Sequence, residues 1–212
     1  MNGVKMIRAR RNYRPRTRVP ERYHHGDLRA ALIRAADELL AAEGLEGFSL
    51  RKAARRAGVS PAAPTHHFGN AAGLLSEVAI LGFQELAKHL NVDTSKGTPA
   101  QRLRMQGQGY VRFALRYPGR FQLMFRCDLL SPEHAALQEA GARTLAQFEE
   151  TIRAINSIPQ QKPLDSKARA AVLAAWSIVH GFAHLVLDGK ITYLHPEAAP
   201  DELVADVLLC LS

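Results

Sequence analysis

An all-α fold follows from two features of the 212-residue sequence. Apolar residues recur at three- and four-residue spacings along most of the chain, which is the period of a helix with one buried face. No stretch sustains the alternation of β-branched residues that a half-buried strand requires. Glycines, prolines and capping residues divide the helical pattern into about nine segments. At 47% hydrophobic residues the chain has ample material for a buried core.

The segments follow in order. Leu28, Leu32, Ala35, Ala36, Leu39 and Leu40 share a face behind Asp27, and Gly44 supplies the stop, so a first helix ends there. Ser49 is placed to cap a short second helix, with Leu50, Ala53, Ala54 and Ala57 on one side and Arg51, Lys52, Arg55 and Arg56 on the other. Gly58 ends it, Val59 is placed to plug the core, and Ser60-Pro61 offers an N-cap with proline at the first helical position. A third helix is therefore expected to start at once. Pro64 costs it little near the first turn, where its missing N–H is not needed, but implies a short or distorted helix. Phe68 closes this helix as an apolar anchor, and Gly69-Asn70 breaks the chain. Leu74, Leu75, Val78, Leu81, Leu86 and Leu90 belong to a longer fourth helix, followed by a linker over 91–99. Further helices are expected over about 99–117, 119–128, 133–157, 165–188 and 200–211, separated by proline-containing breaks at Pro118, Pro132, Pro159 to Pro163 and Pro196.

Charge is distributed unevenly. Residues 1–22 hold eight lysines and arginines against Glu21 alone, a surplus of seven in a chain whose total is +8. Residues 71–212 hold equal numbers of each sign. A neutral body thus carries a basic arm. Its prolines and sparse apolar content argue for disorder in the free protein, and an anionic polymer is the natural partner. Two distant cysteines, Cys127 and Cys210, make no disulfide framework and fit a reducing cytoplasm. The arm lacks the apolar run of a signal peptide, and no stretch elsewhere is expected to span a bilayer.

Residues 49–68, SLRKAARRAGVSPAAPTHHF, satisfy the requirements of a helix-turn-helix. Ala53, Ala54 and Ala57 permit close helix crossing, Gly58 permits the left-handed turn, and Pro61 to Ala63 keep the second helix slim enough for a major groove. An ordinary αα-hairpin would use the same parts. The wider window from Gly26 to Leu75 resembles the N-terminal domain of the TetR family, with a first helix, Gly-Phe-Ser, an alanine-rich helix, Gly-Val-Ser, and a helix closing on His-Phe. The likeness extends over about residues 24–86. It implies a DNA-binding transcription regulator with a basic N-terminal arm (1–22), a helix-turn-helix domain (23–86) and a C-terminal effector-binding and dimerisation domain (87–212).

The chemistry and this resemblance together nominate Ser49, Arg51 and Lys52 for phosphate contacts and Ser60, Ala62, Ala63, Thr65 and His66 for the groove, with His67 at a helix end or on phosphate. Arg16 and Arg18 of the arm are candidates for the minor groove or backbone. Two departures stand out: Thr65 replaces a tyrosine usual in the family, and Ala71-Ala72 replaces a Ser-Lys type start to the fourth helix. Both usual residues contact phosphate, so the arm is a candidate replacement.

In the C-terminal half, AVLAAWSIVHGFAHLVLDG resembles the Trp-x-x-x-His-Gly signature of one subgroup of the family. The resemblance implies a ligand cavity, for which Tyr110, Phe113, Phe121, Phe125, Arg126, His134 and Trp176 are candidates as apolar walls with a few polar groups. It also implies a four-helix dimer interface. His180 and His184 lie with Trp176 on one helix face and are assigned to that interface. Their spacing also suits a metal, but two histidines are half a site and no general base stands between them, so neither metal nor cofactor is expected. No nucleophile with a paired base and no phosphate-binding glycine loop emerges, which argues against an enzyme. The expected partners are double-stranded operator DNA, a second subunit and an unidentified small-molecule effector. The competing reading is a helical ligand- or metal-binding protein whose tail binds nucleic acid nonspecifically.

Overall fold

A computed structural model describes residues 25–209, except 94 and 96. Arg16, Arg18 and the rest of the basic arm, together with Cys210, lie outside the described residues. The regular elements are all helical: α1 (His25–Glu43), α2 (Leu50–Arg56), α3 (Ala63–Phe68), α4 (Ala71–Leu90), α5 (Pro99–Arg116), α6 (Pro118–Met124), α7 (Ala135–Ile155), α8 (Ser166–Leu187), α9 (Lys190–Leu194) and α10 (Pro200–Leu209).

Capping chemistry explains most of the boundaries. Gly44 follows α1 with φ +67° and donates its N–H to the Leu40 carbonyl at 3.0 Å. The Asn70 side chain accepts from the Gly73 N–H at 3.0 Å, starting α4 immediately after α3. Thr98 and Gln101 form a reciprocal capping box at α5, and Asp165 caps α8 by accepting from the Ala168 N–H at 2.8 Å.

Three boundaries differ from expectation. Helix α3 begins at Ala63, two residues beyond Pro61, because Ser60 to Ala62 form a turn closed by the Ala63 N–H on the Ser60 carbonyl. Pro64 has no N–H to extend the helical ladder back to Ser60. Helix α6 stops at Met124 instead of continuing to about 128; the Arg126 N–H turns back to the Leu123 carbonyl and its guanidinium grips Asp128. The unexpected α9 spans five residues, too few to show a helical period, and starts after Gly189 in the left-handed conformation.

The first three helices form a small unit at one end, and α4 packs on it through α1 and α3 before running on against α5, α6 and α7. The division expected at 86/87 therefore falls inside one continuous helix. Helix α5 is central, with α4, α6, α7, α8 and α10 packed around it. It approaches α4 so closely that a β-carbon on Gly109 would overlap the His89 carbonyl oxygen. The core is aromatic at its centre, with Tyr110, Phe113, Phe121 and Phe148 essentially inaccessible, and α10 closes it with Val204 and Leu208.

Helix α8 corrects one expectation: it is long and apolar enough, by length and composition, to cross a membrane. The cause is two apolar faces on one helix. Val172, Ala175, Val179 and Phe182 enter the core, while Leu173 and Leu185 remain about half exposed on the other side.

Candidate DNA-reading face and ligand cavity

Helices α2 and α3 meet across a turn that Gly58 enters at φ +70°. The Val59 N–H returns to the Ala54 carbonyl at 3.0 Å. Ala53 and Ala54 are fully buried, so α2 lies flush against α1. Val59 is only half-buried; the buried apolar plug of α3 is Pro64. Ser60, Ala62, Thr65 and His66 are exposed on the outer side, with His67 and Ala63 half-buried. Phe68 anchors the end of α3 on the core, and the Arg29 guanidinium of α1 lies over its ring at 5.3 Å.

The basic residues beside this surface divide into two kinds. Lys52 is turned back, donating to the Glu43 carboxylate at 2.7 Å and the Gly47 carbonyl at 2.9 Å, and so ties α2 to the end of α1. Its hydrogen bond holds the Glu43 carboxyl below the usual range. Ser49 is spent as the α2 cap, accepting from the Lys52 N–H at 3.2 Å. Arg51 and Arg55, one turn apart and exposed, make no salt bridge among the described residues and line an open polar recess with Ser49 and Pro61. Sequence reasoning placed Arg55 on the basic face without nominating it; its i+4 relation to Arg51 was the available signal.

In the C-terminal half a cavity of about 230 Å³ lies between α4 and α7, walled by Phe83 and Leu86 of α4, Gly141, Thr144, Leu145 and Phe148 of α7, and Tyr110, Phe125 and Trp176. At its edge the Tyr110 hydroxyl stands 2.9 Å from Nδ1 of His180 and accepts from Nε1 of Trp176 at 3.4 Å. Burial pushes the Tyr110 phenol up, and burial followed by the neighbouring His184 pushes the His180 imidazole down, so both are neutral near pH 7.

The family model described as "Tetracyclin repressor-like, C-terminal domain" matches residues 103–211, about half of the chain, and the model for "Bacterial regulatory proteins, tetR family" matches residues 32–78. The chain belongs to the TetR family. Among solved structures, a protein of unknown function from Rhodococcus sp. RHA1 is 30% identical, with 90% of this chain and 96% of that one covered at a TM-score of 0.72. A tetR-family regulatory protein from Rhodococcus RHA1 is 22% identical, covering 87% and 94% at 0.65. A TetR variant from Acinetobacter baumannii AYE in complex with minocycline is 19% identical, covering 90% and 94% at 0.60. No curated protein matches the chain. As a TetR-family transcription regulator it binds DNA through the helix-turn-helix of α2 and α3.

Within this TetR-family frame the nominated cavity residues separate. Tyr110, Phe125 and Trp176 line the cavity, whereas Phe113 and Phe121 are fully buried packing residues that do not reach it. Arg126 points outward to Asp128 at 2.7 Å, because α6 has already ended. His134, just before α7, contacts Glu77 at 3.0 Å, and Glu77 also pairs with Arg29 of α1 at 2.5 Å. His180 faces inward among Phe125, Phe121 and Tyr110, its ring 4.4 Å from that of Phe125, while His184 is exposed. Among the described residues no group of three or more His, Cys, Asp or Glu side chains could hold a metal ion. Phe83, Gly141, Thr144 and Phe148 escaped the sequence reading because helical periodicity marks inward faces without showing which inward residues leave space between them.

Proposed function

We propose that this regulator is a homodimeric repressor that holds a palindromic operator and is released by a small molecule in the α4–α7 cavity. The observation that carries the reading is the pairing of one exposed surface, Ser60 and Ala62 of the turn with Thr65 and His66 of α3, with the unpaired cations Arg51 and Arg55 beside it. Short polar and small apolar side chains suit base edges, and arginines at the flank suit phosphate. Two such surfaces in successive major grooves would lie roughly 34–36 Å apart. The arm's surplus of positive charge supports additional backbone contact, through residues such as Arg16 and Arg18.

The second subunit would dock against α8. Ala170, Leu173, Ser177, Gly181 and Leu185 form one exposed stripe, and a β-carbon on Gly181 would meet nothing within 4 Å, so a helix can approach closely there. The Trp176-x-x-x-His180-Gly181 signature belongs to the same helix, with Trp176 on the cavity side and Gly181 on the open side.

Release follows from continuity: α4 forms one wall of the cavity and carries Glu77, whose carboxylate joins Arg29 of the reading unit to His134 at the start of α7. A ligand that fits one spacing of α4 and α7 better than another shifts the population of reader spacings by its differential affinity. A fold relative is known in complex with the small molecule minocycline, which supports a small-molecule effector. Acting on chromosomal DNA, the protein would work in the cytoplasm.

The test is selection of random duplex DNA by the purified protein at physiological salt. An enriched palindrome of two half-sites is the expected result. Salt-sensitive bulk binding without enrichment would overturn the reading in favour of a helical ligand-binding protein with nonspecific nucleic-acid affinity.

A further inference from the structure

We infer that the α4–α7 cavity takes an uncharged, largely apolar molecule of one or two rings, an inference that rests on reading this half of the chain as the effector domain. Size sets the first limit. A dry cavity of about 150 Å³ accommodates benzene, and this one is about 230 Å³. A substituted single ring or a compact bicyclic molecule fits without moving the walls.

Wall chemistry sets the second limit. Phe83, Leu86, Phe125, Leu145 and Phe148 present hydrocarbon, and no lining residue carries a charge. The polar atoms already have partners. The Thr144 hydroxyl donates to the Ala140 carbonyl at 2.9 Å, and the Trp176 N–H donates to Tyr110, whose hydroxyl also meets His180. His180 is held neutral by its burial, so it offers no counter-charge for an anion. A carboxylate or ammonium entering the cavity would leave water without gaining an ion-pair partner.

A second cavity, of about 260 Å³ between α5, α7, α8 and α10, makes a contrast. Its walls include Arg104 and Lys167, and no residue of α4 lines it. Charge selectivity therefore distinguishes the two sites, and only the first touches the helix that continues into the reading unit.

Trp176 is the chain's single tryptophan and lines the first cavity, so its fluorescence reports one site. The full-length protein is titrated with toluene, benzoate and benzylammonium, with excitation selective for tryptophan. Toluene is expected to change the emission saturably, with the two ions binding at least about 100-fold more weakly. Gly141→Leu should abolish the toluene response by filling the space. A β-carbon there stands at an ordinary 3.6 Å from the Phe83 ring, and leucine favours the helix. Thermal unfolding of the variant checks that it folds, and Ala142→Phe at the exposed rim provides a second block. The inference is overturned if toluene gives no saturable response, if either ion binds as well as toluene, or if both filled variants respond like the parent. A parallel titration on selected operator DNA keeps the two readings apart. Toluene that binds at Trp176 without weakening DNA affinity upholds the ligand class and removes the release mechanism.

Discussion

Adjacent cations of α2 perform different work. Lys52 carries a charge as Arg51 does, but its ammonium already has a carboxylate and a carbonyl within 3 Å. Moving it to phosphate would break both contacts. Arg51 and Arg55 have no such tie and are free to neutralise phosphate, releasing counterions as they do so. Arg51→Ala should therefore weaken binding to selected and random DNA alike and reduce the slope of log K against log salt by about 1. Lys52→Ala should leave that slope unchanged and lower the thermal midpoint slightly. Salt titrations of the two variants decide the matter, and an equal loss of slope for both would remove the distinction. From the sequence these two residues were equivalent, since both sit on the basic face of one short helix. What separates them is the loop after Gly44, which brings Glu43 and Gly47 within reach of one and leaves the other pointing out.

At the scale of elements, the C-terminal half is fastened to the reading unit twice, through α4 and through α6. Helix α6 begins against the end of α1, where a β-carbon on Gly119 would stand 2.8 Å from the Leu40 carbonyl oxygen. The next residue, Arg120, donates from both Nε and Nη2 to the two carboxylate oxygens of Asp37, at 2.7 and 2.5 Å, with both side chains about four-fifths covered. This bond also raises the Arg120 pKa further above its already high value. Arg120→Ala strands this largely covered carboxylate and should cost about 1.5–3 kcal/mol in urea unfolding. Arg120→Lys should recover only part, since an ammonium cannot reproduce the two-pronged geometry; full recovery would mean that charge alone matters. Long helices such as α4, α5, α7 and α8 were legible because each spans several turns of apolar period. The start of α3, the end of α6 and the whole of α9 were not, because single hydrogen bonds and a missing proline N–H decide them. The Asp37–Arg120 clamp was equally invisible: its partners are 83 residues apart, and neither departs from the composition of an ordinary exposed helix face.

At the scale of the whole molecule, α8 faces two environments. Its inner side holds Trp176 and His180 against the cavity aromatics, while its outer stripe remains uncovered within one subunit. Only about a third of its most apolar stretch is buried, which makes the face costly to leave in water and leaves it available to a second copy. The sequence pointed to this helix and assigned the interface to His180 and His184; His184 is exposed, whereas the His180 ring turns inward to Tyr110. In a two-fold interface each residue acts twice, so one added charge faces its own image. Leu185→Arg should therefore give a monomer in sedimentation at micromolar concentration. Its affinity for a two-half-site palindrome should fall at least about 100-fold, towards that for a single half-site, because the second reader is no longer tethered to the first. His180→Ala should leave the mass unchanged, since its ring turns inward to Tyr110 and Phe125. Retention of the dimer by both Leu185→Arg and Gly181→Arg would move the interface off this stripe, whereas dissociation by both would make α8 the element that sets the distance between the two readers.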